Sequence, residues 1–77
     1  MENIRLIDIE NVYRADLETS KLHALENSYD SLEAQLNSRN NPIALDRSSR
    51  PYKIINGRHR IFLARQKGYS SVHAVFV

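Results

Sequence analysis

The stretch YKIINGRHRIFLARQKG, Tyr52–Gly68, decides the fold, because it changes period at a glycine and stops at a second one. Tyr52 to Ile55 is a short β-prone run, and RHRIFLARQK reads as a helix. Gly57 stands at the strand-to-helix turn, where only glycine takes every backbone conformation, and Gly68 falls at the favoured position just past a helix end. These are the only glycines in the chain, and the segment between them carries Arg58, His59, Arg60, Arg65 and Lys67 with no acid. A helix N-terminus presents unsatisfied N–H donors and the positive end of the dipole, so cations crowded there call for an anion.

Working outward, Val72 to Val77 alternates as a closing strand, and Pro42 to Leu45 reads as another, with RSSRP as the turn between it and Tyr52. Upstream, Leu22, Leu25, Tyr29, Leu32 and Leu36 recur at helical spacing, predicting one helix from Thr19 or Ser20 to Asn37. The stripe covers about two heptads, too few for a coiled coil, and suits a helix laid on a sheet. Ile4 to Ile9 reads as the first strand and NVYRADLE as a loop. The expected fold is a single α+β domain over residues 1–77, in β-α-β-β-α-β order, with a mixed sheet and helices packed against it.

Seventy-seven residues allow one small core, so a ligand, partner or homodimer contact would add appreciable stability. There is no cysteine, which removes disulfides, thiolate metal sites and a cysteine nucleophile. His23, His59 and His73 fall into no metal-ligand spacing, so no metal site is expected in the protein itself. No apolar run approaches a membrane span and the opening residues do not form a signal peptide; a cytoplasmic protein is the expectation. Net charge is +2, but every residue from Arg47 onward that carries charge is basic (Arg47, Arg50, Lys53, Arg58, Arg60, Arg65, Lys67). That asymmetry fits an anion site for nucleotide or nucleic acid, and equally two halves that neutralise each other by packing.

NPIALDRSSRPYKIINGRHRIFLARQKGYSSVHAVFV resembles the ParB/sulfiredoxin superfamily, in particular the ParB N-terminal domain. The family pattern has a Pro-Ile strand (Pro42-Ile43), a Tyr-x-Ile-Ile-x-Gly strand (Tyr52 to Gly57) and a Gly-x-x-Arg turn opening a helix (Gly57 to Arg60). A glycine then ends the helix (Gly68), and a Val-Pro-Val-like strand follows (Val72 to Val75). IRLIDIENVYR is similar to the opening strand and its following arginine. The resemblance implies a nucleotide, CTP as in ParB or ATP as in sulfiredoxin, held at that turn, and relatives include a free-serine kinase and nuclease-like proteins. By resemblance Gly57, His59 and Arg60 match phosphate-binding positions and Arg14 matches the arginine after the first strand; Arg58 adds a cation.

The departures bear on chemistry. Arg58 stands where sulfiredoxins carry the catalytic cysteine and ParB a glutamate, so sulfiredoxin activity is excluded. The helix after the final strand and the helix-turn-helix domain of partition proteins have no counterpart before Val77. Hydrolysis or phosphoryl transfer uses a carboxylate to orient water or bind Mg²⁺. Glu10, Asp16, Glu26, Glu33 and Asp46 could reach the turn, though none has a motif behind it and solvated surface is the usual place for such acids. His59 is the histidine placed for phosphate or proton chemistry, and Glu10 and His59 are the candidates for a catalytic role. Tyr13, Tyr52 and Tyr69 are expected in the core or on a sheet face. Three functions follow: a nucleotide-binding domain with or without NTPase, kinase or nuclease activity, a non-catalytic small regulator or inhibitor of a nucleic-acid or host protein acting through protein or DNA contacts, and a DNA-binding module.

Overall fold

A computed structural model describes residues 1–77. The centre of the molecule is β2, Ile43–Asp46, whose Ile43, Ala44 and Leu45 are all buried. It pairs antiparallel with β3 (Lys53–Asn56) and parallel with β4 (Ser71–Phe76), and β1 (Glu2–Arg5) adds antiparallel to the far side of β4. The result is a mixed four-stranded sheet in the order β1-β4-β2-β3. Val72 and Ala74 of β4 are buried while His73 between them is exposed, as alternation requires.

Helices α2 (Leu32–Leu36) and α3 (Arg58–Gln66) pack on this sheet through the main core and α1 (Thr19–Glu26) packs on α3, making an α+β domain. Ile61 and Ala64 of α3 and Leu36 of α2 join Ile43, Leu45, Val72 and Ala74 in the main core. A second cluster, Leu17, Leu22 and Leu63, fastens α1 to α3. No helix is long and apolar enough to cross a membrane.

Four features depart from expectation. The single helix of Thr19–Asn37 is two, broken at Asn27–Ser31. Ser31 Oγ accepts the Ala34 N–H as the N-cap of α2, Gln35 Nε2 donates to the carbonyls of Leu25 and Asp30, and Tyr29 is fully exposed instead of lying on the buried stripe. α1 begins after Glu18, which caps it without a side-chain bond, so neither Thr19 nor Ser20 is the cap. The first strand is Glu2–Arg5 and not Ile4–Ile9, because a 3₁₀ turn at Leu6–Asp8 redirects the chain, and Ile9 bridges to Tyr52 at the opposite edge of the sheet. Tyr52 packs edge-on against Phe76 with ring centroids 5.0 Å apart, but Tyr13 and Tyr69 are exposed.

The end of α3 follows from its glycine. Gly68 has φ +82°, its N–H bonds to the Arg65 carbonyl and the Tyr69 N–H to the Ala64 carbonyl, the paired bonds of a Schellman motif.

Candidate anion-binding site

Gly57 is the residue on which the site is built. It caps α3 with φ +108° and ψ 21°, a left-handed conformation that side chains disfavour. A Cβ there would stand 2.9 Å from Ile43 Cγ1 and 3.3 Å from an Arg60 guanidinium nitrogen. The close approach to β2 therefore requires glycine on two counts.

Because Gly57 has no side chain, α3 has no side-chain cap, and its first turn contains no acid. The Gly57 carbonyl accepts the Ile61 N–H at 2.9 Å, whereas the N–H groups of Arg58, His59 and Arg60 have no acceptor in the protein. The residues that carry them line a cleft of about 380 Å³ between α1 and the start of α3, a size usual for small-molecule sites. Lys21 of α1 and Arg58 bring positive charge to it, Ala24 and Leu25 give it an apolar wall, and Asn41 and Asn56 give it amides. The Asn56 Nδ2 donates to Asn41 Oδ1 at 2.7 Å and to the Pro42 carbonyl at 3.0 Å, which holds the two amides together.

The residues singled out in the sequence divide sharply. Gly57, Arg58, His59 and Arg60 all line this cleft. Arg58 is exposed and makes no hydrogen bond or ion pair, so it is available. Arg60 is only 6 % exposed, and its Nη1 donates to the carbonyls of Gln35 and Asn41 at 3.1 and 2.6 Å. Those bonds make Arg60 a tie from α3 to α2 and to the segment leading into β2. Burial lowers its pKa, although a guanidinium stays charged in water at any ordinary pH.

Arg14 donates to Thr19 Oγ1 at 3.1 Å and does not line the cleft. Glu10 is also elsewhere: its carboxylate accepts the Ile54 N–H at 2.6 Å, and it lines a separate groove with Asp16 and Arg58. Asp46 accepts the Ser48 N–H at 2.8 Å in the turn after β2, and that bond chiefly holds its pKa below the usual carboxylate value. No carboxylate lines the cleft, and no cluster of three His, Asp or Glu side chains is placed to hold a metal.

His59 accepts the Glu18 N–H on Nε2 at 3.2 Å. Burial pushes its pKa below the ordinary 6.5, Lys21 pushes it further, Glu18 pulls it back up, and Arg58 lowers it again. The ring beside the cleft is therefore neutral near pH 7.

Arg65, one of the cations of the basic half, has a structural place. Its Nη2 donates to the carbonyls of Leu6, Ile9 and Glu10 at 3.0, 2.9 and 3.1 Å. It thereby satisfies the backbone where the chain leaves β1 for the opposite sheet edge. Arg47 pairs with Glu2 and lies 4.1 Å over the Phe76 ring, and Arg50 lies 4.7 Å over Tyr52. Of the basic residues after Asp46, Lys53, Arg58 and Lys67 are left without a hydrogen bond, ion pair or aromatic partner. Lys21, Asn41 and Asn56 were missed in the sequence, since nothing local marks residues that meet only across the fold.

Fold and site together define a small α+β domain with an uncapped helix N-terminus opening into a cationic, carboxylate-free cleft. No family model, curated protein or solved structure matches the chain.

Proposed function

We propose that this chain is an anion-binding domain of the ParB/sulfiredoxin type that holds the phosphates of a nucleotide, CTP or ATP, in the cleft at the start of α3. One observation carries the reading: the amides of Arg58, His59 and Arg60 are all without acceptors at an uncapped, acid-free helix terminus that faces a cleft. Such donors combine with the helix dipole to favour a phosphate. Arg58 and Lys21 add charge, the former with a fork suited to phosphate oxygens. Ala24 and Leu25 offer an apolar surface beside the phosphate position. Binding takes precedence over catalysis in this reading, since no carboxylate lines the cleft and Glu10, in a separate groove, is occupied by the Ile54 N–H.

Titration calorimetry with CTP, ATP and inorganic phosphate, each with and without Mg²⁺, tests the reading. Saturable binding that Arg58→Met weakens supports it. No heat from any of the three at millimolar concentrations rejects it.

The regulator reading has its own support in the second groove, where exposed Tyr13 and Ile55 flank Arg58. Tyrosine and arginine are among the residue types on which the energy of protein contacts concentrates. DNA binding is the weakest of the three, because most of the basic half is engaged with backbone carbonyls, a carboxylate or aromatic rings.

A further inference from the structure

The start of α1 is tied to the first turn of α3 by a bond whose existence depends on one proton. The Glu18 N–H donates to His59 Nε2 at 3.2 Å. A backbone N–H only donates, so Nε2 carries a lone pair and the ring proton sits on Nδ1. In a capping box the acceptor for this N-cap amide is a Glu or Gln at the third helical position. In α1 that position is Lys21, which has no acceptor to offer. His59, forty-one residues away in sequence, takes the part of the missing carboxylate.

We infer that His59 is an acid-released latch: protonating its ring converts Nε2 from acceptor to donor, breaks the tie to Glu18 and frees the first turn of α1 from α3. The charged groups facing the ring are Glu18 and Lys21 from α1 and Arg58 from its own helix. Lys21 and Arg58 oppose the new charge, and Glu18, itself paired with Lys21 at 3.6 Å, is the single counter-charge. Arg14 holds the same turn from the other side through Thr19, so release loosens the helix start without detaching the whole helix. The folded-state pKa lies below the free value, so the bond is intact above about pH 6.5 and is lost as pH falls through the folded pKa. The tie to Glu18 forms without any anion in the cleft, and a bound anion beside the ring would favour its protonated form.

The test is an NMR pH titration of the full chain from pH 7.5 to 4.5, following the Glu18 amide, its hydrogen-exchange protection and the His59 ring nitrogens. At pH 7.5 the ring should be the Nδ1–H tautomer. The Glu18 amide should then shift with the midpoint of His59 itself, and its protection should fall about fivefold to tenfold after correction for intrinsic exchange, the scale of one net hydrogen bond. In His59→Gln, whose amide oxygen stands near the Nε2 position and does not titrate, the shift should vanish. In His23→Gln and His73→Gln it should persist. An Nε2–H tautomer at neutral pH, a Glu18 amide that ignores the His59 midpoint, or an unchanged transition in His59→Gln overturns the inference. Should His59→Gln fail to fold, the tautomer and the shared midpoint in the wild type decide it alone.

Discussion

Replacing Arg60 by methionine separates a structural arginine from a ligand-binding one. The guanidinium Nη1 donates to the carbonyls of Gln35 and Asn41, at 3.1 and 2.6 Å, from a residue only 6 % exposed. Charge-assisted hydrogen bonds contribute roughly 1.5–3 kcal/mol each, so about 3–6 kcal/mol of gross interaction is lost. Two effects reduce this. Methionine removes the cost of keeping a guanidinium out of water, and the Asn41 carbonyl belongs to an exposed residue that water can reach. A net loss of about 2–3 kcal/mol remains. A domain of this size is held by roughly 4–12 kcal/mol, so the midpoint of thermal unfolding should drop by roughly 10–20 °C. The assay is urea unfolding followed by circular dichroism, with Arg58→Met as the control. Arg58 is exposed and unpaired, so its variant should stay within about 0.5 kcal/mol of the parent. Equal stability of the two variants, or an Arg60→Met protein of parental stability that has lost anion affinity, would refute the structural assignment.

The other arginine and the glycines give further outcomes. Gly57→Ala meets both a left-handed φ and a 2.9 Å contact to Ile43, and should cost about 2–4 kcal/mol. Gly68→Ala has φ +82° but open space around the new methyl, so about 1 kcal/mol is expected in the same unfolding assay. Arg65→Met removes three carbonyl contacts and should raise hydrogen exchange across Leu6–Glu10 before it affects the β2–β4 pairing. Equal exchange changes in both regions would show that Arg65 does not act locally. Asp46 has a lowered pKa through the Ser48 N–H, so its contribution is present above the ordinary carboxylate value of 3.8 and lost as pH falls through the folded value. Asp46→Asn should flatten the acid limb of stability against pH, and an unchanged limb would remove Asp46 as its source.

The C-terminal half was readable because its signals are local. Gly68 after an amphipathic run announces a Schellman end, and the alternation of Val72, His73 and Ala74 announces a half-buried strand. The α1–α2 break was hidden by a leucine stripe that continues across it, yet Ser28 and Ser31 accept the Asp30 and Ala34 N–H groups in place of helix bonds, and the crowding of Asn27, Ser28, Asp30 and Ser31 was the available clue. The anion terminus at Gly57 was visible from the glycine and the lack of acids. The occupation of Arg60 and Arg65 was not: their partners are main-chain carbonyls up to 59 residues away, and a carbonyl carries no residue identity in a sequence. Basic residues therefore looked like a ligand field when two of them were holding loops.

The most direct test is ¹⁵N NMR of the folded chain titrated with CTP, ATP and inorganic phosphate. The amides of Arg58, His59 and Arg60 should move together and saturate, with smaller shifts at Lys21 and Asn41 across the cleft, and the movement should weaken in Arg58→Met. Those three amides staying in place while every phosphate ligand reaches millimolar concentration would contradict anion binding at the start of α3.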